Sequence, residues 1–145
     1  MKAYYNNGLR AMGDGYIDWR DSKICAALID LAAYTVNVDT DKALDRVPLS
    51  AILAICELTN KTIFSDKFEA DDCNFENVPF LDYMSEAVII YHDGGGREAN
   101  ILIAYLDGND APLYRAGNGD IYTQWDKVNG VLPELPEAVL PSATP

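Results

Sequence analysis

His92, the only histidine of the chain, stands beside Asp93 and three consecutive glycines in the segment YHDGGGREAN. Two chemistries would use such a set: general acid–base catalysis by an imidazole held by a carboxylate, or anion binding by the N–H groups of a glycine loop. The spacing speaks against both. A phosphate-holding loop needs its glycines to open a helix, where free N–H groups and the helix dipole meet the anion, but these glycines lead into ILIAYL, a strand pattern. Adjacent His and Asp side chains project to opposite sides if the strand reaches them, so the pair shares no substrate. The segment reads as the polar tip of a hairpin, exposed and mobile.

The remaining constellations are weighed in the same way. DTDKALD, residues 39–45, begins like a calcium loop, but Leu44 stands at the sixth position where glycine is needed and no glutamate stands at the twelfth. Asp71 and Asp72 are adjacent, which in a turn exposes both. GNG at 117–119 is too short for a dinucleotide fingerprint and precedes a strand pattern rather than a helix. Cys25, Cys56 and Cys73 are dispersed, without a zinc spacing; an odd count lacking C-x-x-C reads as reduced, buried thiols of a protein made in the cytoplasm. A carboxylate pair for glycoside hydrolysis is a spatial arrangement that spacing does not show. No catalytic, metal-binding or cofactor-binding residue is assigned, and no cofactor is expected. Trp19 in IDW and Trp125 in QWD lie beside aspartates. With Tyr122 they are the candidates for stacking on a sugar, against the competing expectation that tryptophan in a small β domain packs in the core.

The 145 residues carry 11 Lys and Arg against 23 Asp and Glu, a formal charge of −12. Nucleic acid is excluded as a partner, because phosphate contacts need clustered positive charge. The acidity suits solubility or a basic partner surface. No apolar run approaches a bilayer span and the N-terminus has no apolar signal region, so neither membrane insertion nor secretion is expected.

The elements that would position these residues are mostly strands. Val88 and Ile90, then Ile101, Ile103 and Tyr105, recur at every second position on either side of the glycine segment, which predicts an antiparallel pair. Ile63, Phe68 and Phe75 sit in short segments bounded by turn residues, and PLYRAGNGDIYTQWD gives two more around Gly117 and Gly119. Residues 24–31 and AILAICELT fit either helix or buried strand. DTDKALDRVPLS allows one short helix, capped by Asp39 or Asp41 and stopped by Pro48. The opening residues 1–15 read as an arm, since the adjacent Tyr4 and Tyr5 cannot share one face of a strand. The end, VLPELPEAVLPSATP, holds Pro133, Pro136, Pro141 and Pro145, a density that favours extended chain. The expectation is a mainly β chain: one antiparallel β-sandwich or jelly-roll-like body over 16–130, with one short helix, an N-terminal arm over 1–15 and a Pro-rich C-terminal arm over 131–145.

The order GYIDW, SKICAALIDLAAYTVNV, KALDRVP, ELTNKTI, KFEADDCNF, SEAVIIYHD, ILIAYLDG and GDIYTQWD resembles a group of small virion structural proteins of tailed bacteriophages, from about Gly15 to Asp126. In that group the Ile-Asp-Trp segment leads into a strand ending in Tyr-Thr, so residues 23–31 are read as strand. The resemblance implies a non-enzymatic particle component and transfers no catalytic residue. Capsid decoration is the first expectation: a body that clamps neighbouring subunits with its arms through Tyr4, Tyr5, Val131, Leu132, Leu135, Val139 and Leu140. Its partners would be the major capsid protein or other virion proteins and further copies of itself, a trimer being the expected state. The alternative is a tail- or fibre-associated module that binds a carbohydrate or receptor through Trp19, Trp125 or Tyr122.

Overall fold

The computed structural model describes residues 1–64, 66–76, 78, 86–115 and 119–134. Ten strands occur among them: β1 (Lys2–Tyr4), β2 (Ile24–Asp30), β3 (Ile52–Glu57), β4 (Thr62–Phe64), β5 (Lys67–Glu69), β6 (Cys73–Phe75), β7 (Glu86–His92), β8 (Ile101–Asp107), β9 (Leu113–Arg115) and β10 (Ile121–Thr123). One α-helix, α1 (Asn6–Gly13), follows β1. Every pairing is antiparallel. The fold is therefore mainly β, with a five-stranded sheet in the order β1-β8-β7-β2-β3, a three-stranded sheet β6-β10-β9 and the hairpin β4-β5.

The two ambiguous apolar runs are both strands, and their composition follows from where they lie. β2, β7 and β8 are inner strands buried on both faces, so ICAALI and AVIIY show no polar alternation. One face carries Ile24, Ala26, Leu28, Val88, Ile90 and Leu106 into a large core shared with Trp19 of the segment before β2 and with Phe68, Phe75, Ile121 and Trp125 of the smaller sheets and their flanks. The opposite face carries Cys25, Ala27, Ile29, Ile89, Tyr91 and Leu102 against the irregular segment 31–51, which supplies Tyr34, Leu44, Val47 and Ala51. The layering is sandwich-like on the first face and sheet-against-loop on the second.

Two bulges set the register. β7 pairs Ile90 with Ala104 but Tyr91 with Leu102, so Ile103 is an extra residue on β8. Ile103 and Ala104 both join the large core, and Tyr105 falls on the other face, where its hydroxyl donates to Asp107 Oδ2 at 2.8 Å. The expected alternation of Ile101, Ile103 and Tyr105 is broken by this residue. A second shift lies between β2 and β3, where Leu28 pairs with Ala54 and Ile29 with Ile52.

The N-terminus is not an arm. Lys2, Ala3 and Tyr4 pair with Leu106, Tyr105 and Ala104, making β1 the edge of the main sheet. Tyr4 and Tyr5 do take opposite sides, as adjacent strand residues must: Tyr4 packs on the large core and Tyr5 is fully buried in the other. The Tyr5 hydroxyl lies 2.9 Å from that of Tyr34, which donates to Asp41 Oδ2 at 2.7 Å. Since the carboxylate only accepts, Tyr34 gives its proton to Asp41 and Tyr5 donates to Tyr34. Burial holds the Tyr5 hydroxyl far above its ordinary pKa. The helix expected near residues 39–48 is replaced by two 3-10 turns, Leu44–Arg46 and Leu49–Ala51, because Ala43 bridges to Ile101 and Pro48 separates the turns.

The start of the C-terminal arm is also body. Val131 and Leu132 are each 1% exposed within the large core, and Val131 N–H donates to Phe68 O at 2.6 Å. Gly130 permits this approach: its φ is +85° and a Cβ there would lie 2.6 Å from Phe68 O. Lys2 Nζ donates to Gly130 O at 2.7 Å and Tyr4 Oη to Pro133 O at 2.6 Å, so the first and last described segments are bonded to each other. Leu135, Val139 and Leu140 lie outside the described residues.

Two outcomes follow from these contacts. Gly8 lies where α1 crosses β8, and a Cβ there would sit 2.2 Å from Leu102 O and 2.6 Å from Ile103 Cα, backbone atoms that cannot swing aside. Gly8→Ala should lower stability in urea by about 1–3 kcal/mol through overpacking, despite the ~1 kcal/mol that alanine ordinarily gains over glycine in a helix; a variant as stable as the parent would contradict this crossing. Leu132→Ala should cost about 2–5 kcal/mol as a core truncation, and an unchanged urea midpoint would return residue 132 to an arm.

Candidate functional site

Of the three aromatic candidates for ligand stacking, two are in the core. Trp19 is buried, its Nε1 donating to the carbonyls of Thr62 and Glu69 at 3.1 Å each, with its ring edge-to-face on Phe68 at 5.6 Å. Trp125 is buried too, with Nε1 donating to Asp71 O at 2.8 Å and its backbone N–H to Asp72 Oδ1 at 3.0 Å. The aspartate beside each tryptophan therefore marks a turn packed around a core indole and not a sugar platform. Both are withdrawn as ligand-binding residues.

Tyr122 is different. In the three-residue strand β10, Ile121 and Thr123 point inward and Tyr122 outward. Antiparallel pairing sets it opposite Asn74 of β6 on one side and Tyr114 of β9 on the other. The row Asn74–Tyr122–Tyr114 thus crosses the outer face of the small sheet. The two tyrosine rings stack with centroids 5.2 Å apart and planes 24° from parallel, and they stay 43% (Tyr114) and 37% (Tyr122) exposed. Asn74 Nδ2 donates to Asp120 Oδ2 at 3.2 Å, and Asp72 Oδ1 accepts from Lys127 Nζ at 2.9 Å. A stacked aromatic pair flanked by amide and carboxylate groups combines a surface for sugar C–H groups with acceptors for hydroxyls. Sequence reading missed Tyr114, although a signal was present: LYR and IYT each have tyrosine at the centre, and the hairpin brings the two centres opposite each other.

A cleft of about 360 Å³ lies where β1, β5 and the 126–134 segment meet. Lys2 and Lys67 face Asp66, Asp110, Asp126 and Glu134 across it. Burial lowers the Lys2 ammonium, while the backbone N–H of Asn129 holds the Asp126 carboxyl below its usual range. Of these groups Lys2 joins the two chain ends through Gly130 O, and Asp126 accepts from Val128 and Asn129 within its own turn.

The histidine hairpin is also accounted for. His92 ends β7, paired with Ile24 and Ile101, and its ring stands edge-on to Tyr16 at 5.9 Å. Burial lowers its pKa, and its Nδ1 meets no hydrogen-bond partner among the described residues. Asp93 turns instead to Lys23, 3.2 Å away, and Gly95 N–H, 3.0 Å away. The loop beyond is anchored, in contrast to the expected free tip: Arg97 donates to the carbonyls of Leu44 and Val47, and Asp45 N–H donates to Arg97 O at 3.2 Å. Among the described residues no three His, Cys, Asp or Glu side chains gather as a metal site, and no helix is long and apolar enough to cross a membrane.

The contrast between tryptophans and tyrosines is measurable. In the folded protein both indoles should be shielded from a neutral quencher such as acrylamide and become accessible only on unfolding; quenching of either indole at the rate of the unfolded chain would overturn its placement in the core. No family model matches the chain, and no curated protein matches it.

Proposed function

We propose that this chain is a non-enzymatic structural protein of a bacteriophage virion, a capsid-decorating protein that stabilises the head by binding neighbouring capsid subunits. Besides the segment order, which resembles that of small virion proteins of tailed phages, the observation that carries the reading is an exposed apolar patch on β3 and the turn before it. β3 is an edge strand, bonded within the sheet to β2 alone, and Ile55 in its middle is 51% exposed. Leu49, in the turn before it, is 68% exposed. Large apolar side chains exposed side by side on a fixed backbone support docking on a neighbouring chain. The charge of −12 supports a basic partner surface. The anchored N-terminus removes Tyr4 and Tyr5 from the clamping residues, and Val131 and Leu132 are likewise spent on the body's own core.

A second reading rests on the Tyr114–Tyr122 stack: a tail- or fibre-associated module that binds a glycan through this face. The two are separated by particle binding. For decoration, the protein should bind heads that lack tails, and Ile55→Lys should weaken that binding at least tenfold while Tyr122→Ala leaves it unchanged. Association with isolated tails only, with binding abolished by Tyr122→Ala and untouched by Ile55→Lys, would replace the first reading with the second.

A further inference from the structure

The three cysteines are far apart in sequence, yet two of them meet. Cys56 on β3 packs against the large core, of which Cys73 on β6 is a buried member, and β3 and β6 lie against each other. The meeting is built by the chain between them. Thr62 pairs with Glu69 in the β4-β5 hairpin, Asp71 N–H donates to Thr59 O at 3.0 Å, and Asn60 donates to Asp71 at 2.5 Å. Residues 62 and 69, then 59 and 71, thus face each other in succession, and β3 and β6, which carry the cysteines, are brought against each other at the foot of this long hairpin. Trp19 Nε1 bonds to carbonyls on both limbs and holds them together. Cys25 is excluded from this meeting. It lies one residue from Ala26, the partner of Cys56, so its side chain enters the opposite core, where Tyr91 is its cross-strand neighbour.

We propose that Cys56 and Cys73 are a modification site: a dithiol that low-molecular-weight disulfides oxidise to an intramolecular disulfide stapling β3 to β6. Cys56 is the half-exposed member. The neighbouring Cys73 thiol lowers its pKa, whereas the neighbouring sulfur and burial hold Cys73 protonated. Cys56 is therefore the attacking thiolate. It attacks one sulfur of the oxidant RSSR, forming a Cys56–SR mixed disulfide and releasing RS⁻, which takes up the proton that Cys56 gave up. The Cys73 thiol then loses its proton, attacks the Cys56 sulfur and expels the second RS⁻, which is protonated in turn. Two protein thiols are oxidised, RSSR is reduced to two RSH, and no other reactant is needed. This inference is independent of the proposed function.

The test is to treat the folded full-length chain with glutathione disulfide and map its peptides without reduction. The expected product is a monomer that has lost two hydrogens, with Cys56 linked to Cys73 and only Cys25 open to alkylation after unfolding. Its melting temperature should rise by several degrees, reversed by dithiothreitol, because the cross-link restricts the unfolded chain. Cys73→Ser should stop at the glutathione adduct on Cys56. A wild-type chain that also stops at that adduct, that links through Cys25, that joins two molecules through Cys56 or that does not react would overturn the proposal.

Discussion

Burial of β2, β7 and β8 on both faces is the constraint on which the rest of this structure depends. A sheet of short strands with two apolar faces is unstable until both are covered, and the chain covers them with unlike material. One face receives the small sheets and the two tryptophans; the other receives the poorly regular segment 31–51. That segment has few ladder hydrogen bonds of its own, so its carbonyls at Leu44 and Val47 are satisfied by Arg97 reaching across from the β7–β8 loop. The glycine-rich loop is thereby a structural tie, and its single histidine belongs to the strand that precedes it.

The same constraint explains the close approaches. Helix α1 closes over β8 near the edge, and only a residue without a Cβ fits at the crossing, so Gly8 sits in the middle of a helix despite its poor helix propensity. At the other end of the chain Gly130 lets Val131 and Leu132 turn back under β5. The bulges at Ile103 and near Leu53 bend the β7–β8 and β2–β3 pairs, and the first rotates Tyr105 to the face where its hydroxyl donates to Asp107. Tyr105 and the N-terminal ammonium then share that carboxylate, which fixes the first residue to the end of β8.

With the apolar side chains of the inner strands committed to two cores, recognition is left to edges and outer faces. Tyr114 and Tyr122 on the small sheet, Ile55 on β3 and Phe64 on β4 are apolar or aromatic side chains that remain accessible on regular backbone. Strands hold such side chains at fixed spacing, which loops do not, and this supports the docking role proposed for the chain. The surface charge sets which partners can approach and acts over a distance that the individual contacts do not.

Composition and local pattern determined the β class, the β7–β8 pair and the short strands around Ile63, Phe68, Phe75 and the late glycines, because period-two apolar residues and turn residues act locally. They also determined that Tyr4 and Tyr5 must part. Tertiary structure alone decided four things. It made β1 an edge of the main sheet, where the polar opening had read as an arm, because the unpaired edge of β8 was there to receive it. It took Val131 and Leu132 into the core, where proline density had suggested extended chain, because the large core needed two more side chains to close. It inserted the extra residue in β8, which no alternation rule foresees. And it set Tyr114 against Tyr122 and Cys56 against Cys73, since contacts across strands depend on register, and register is a property of the assembled sheet.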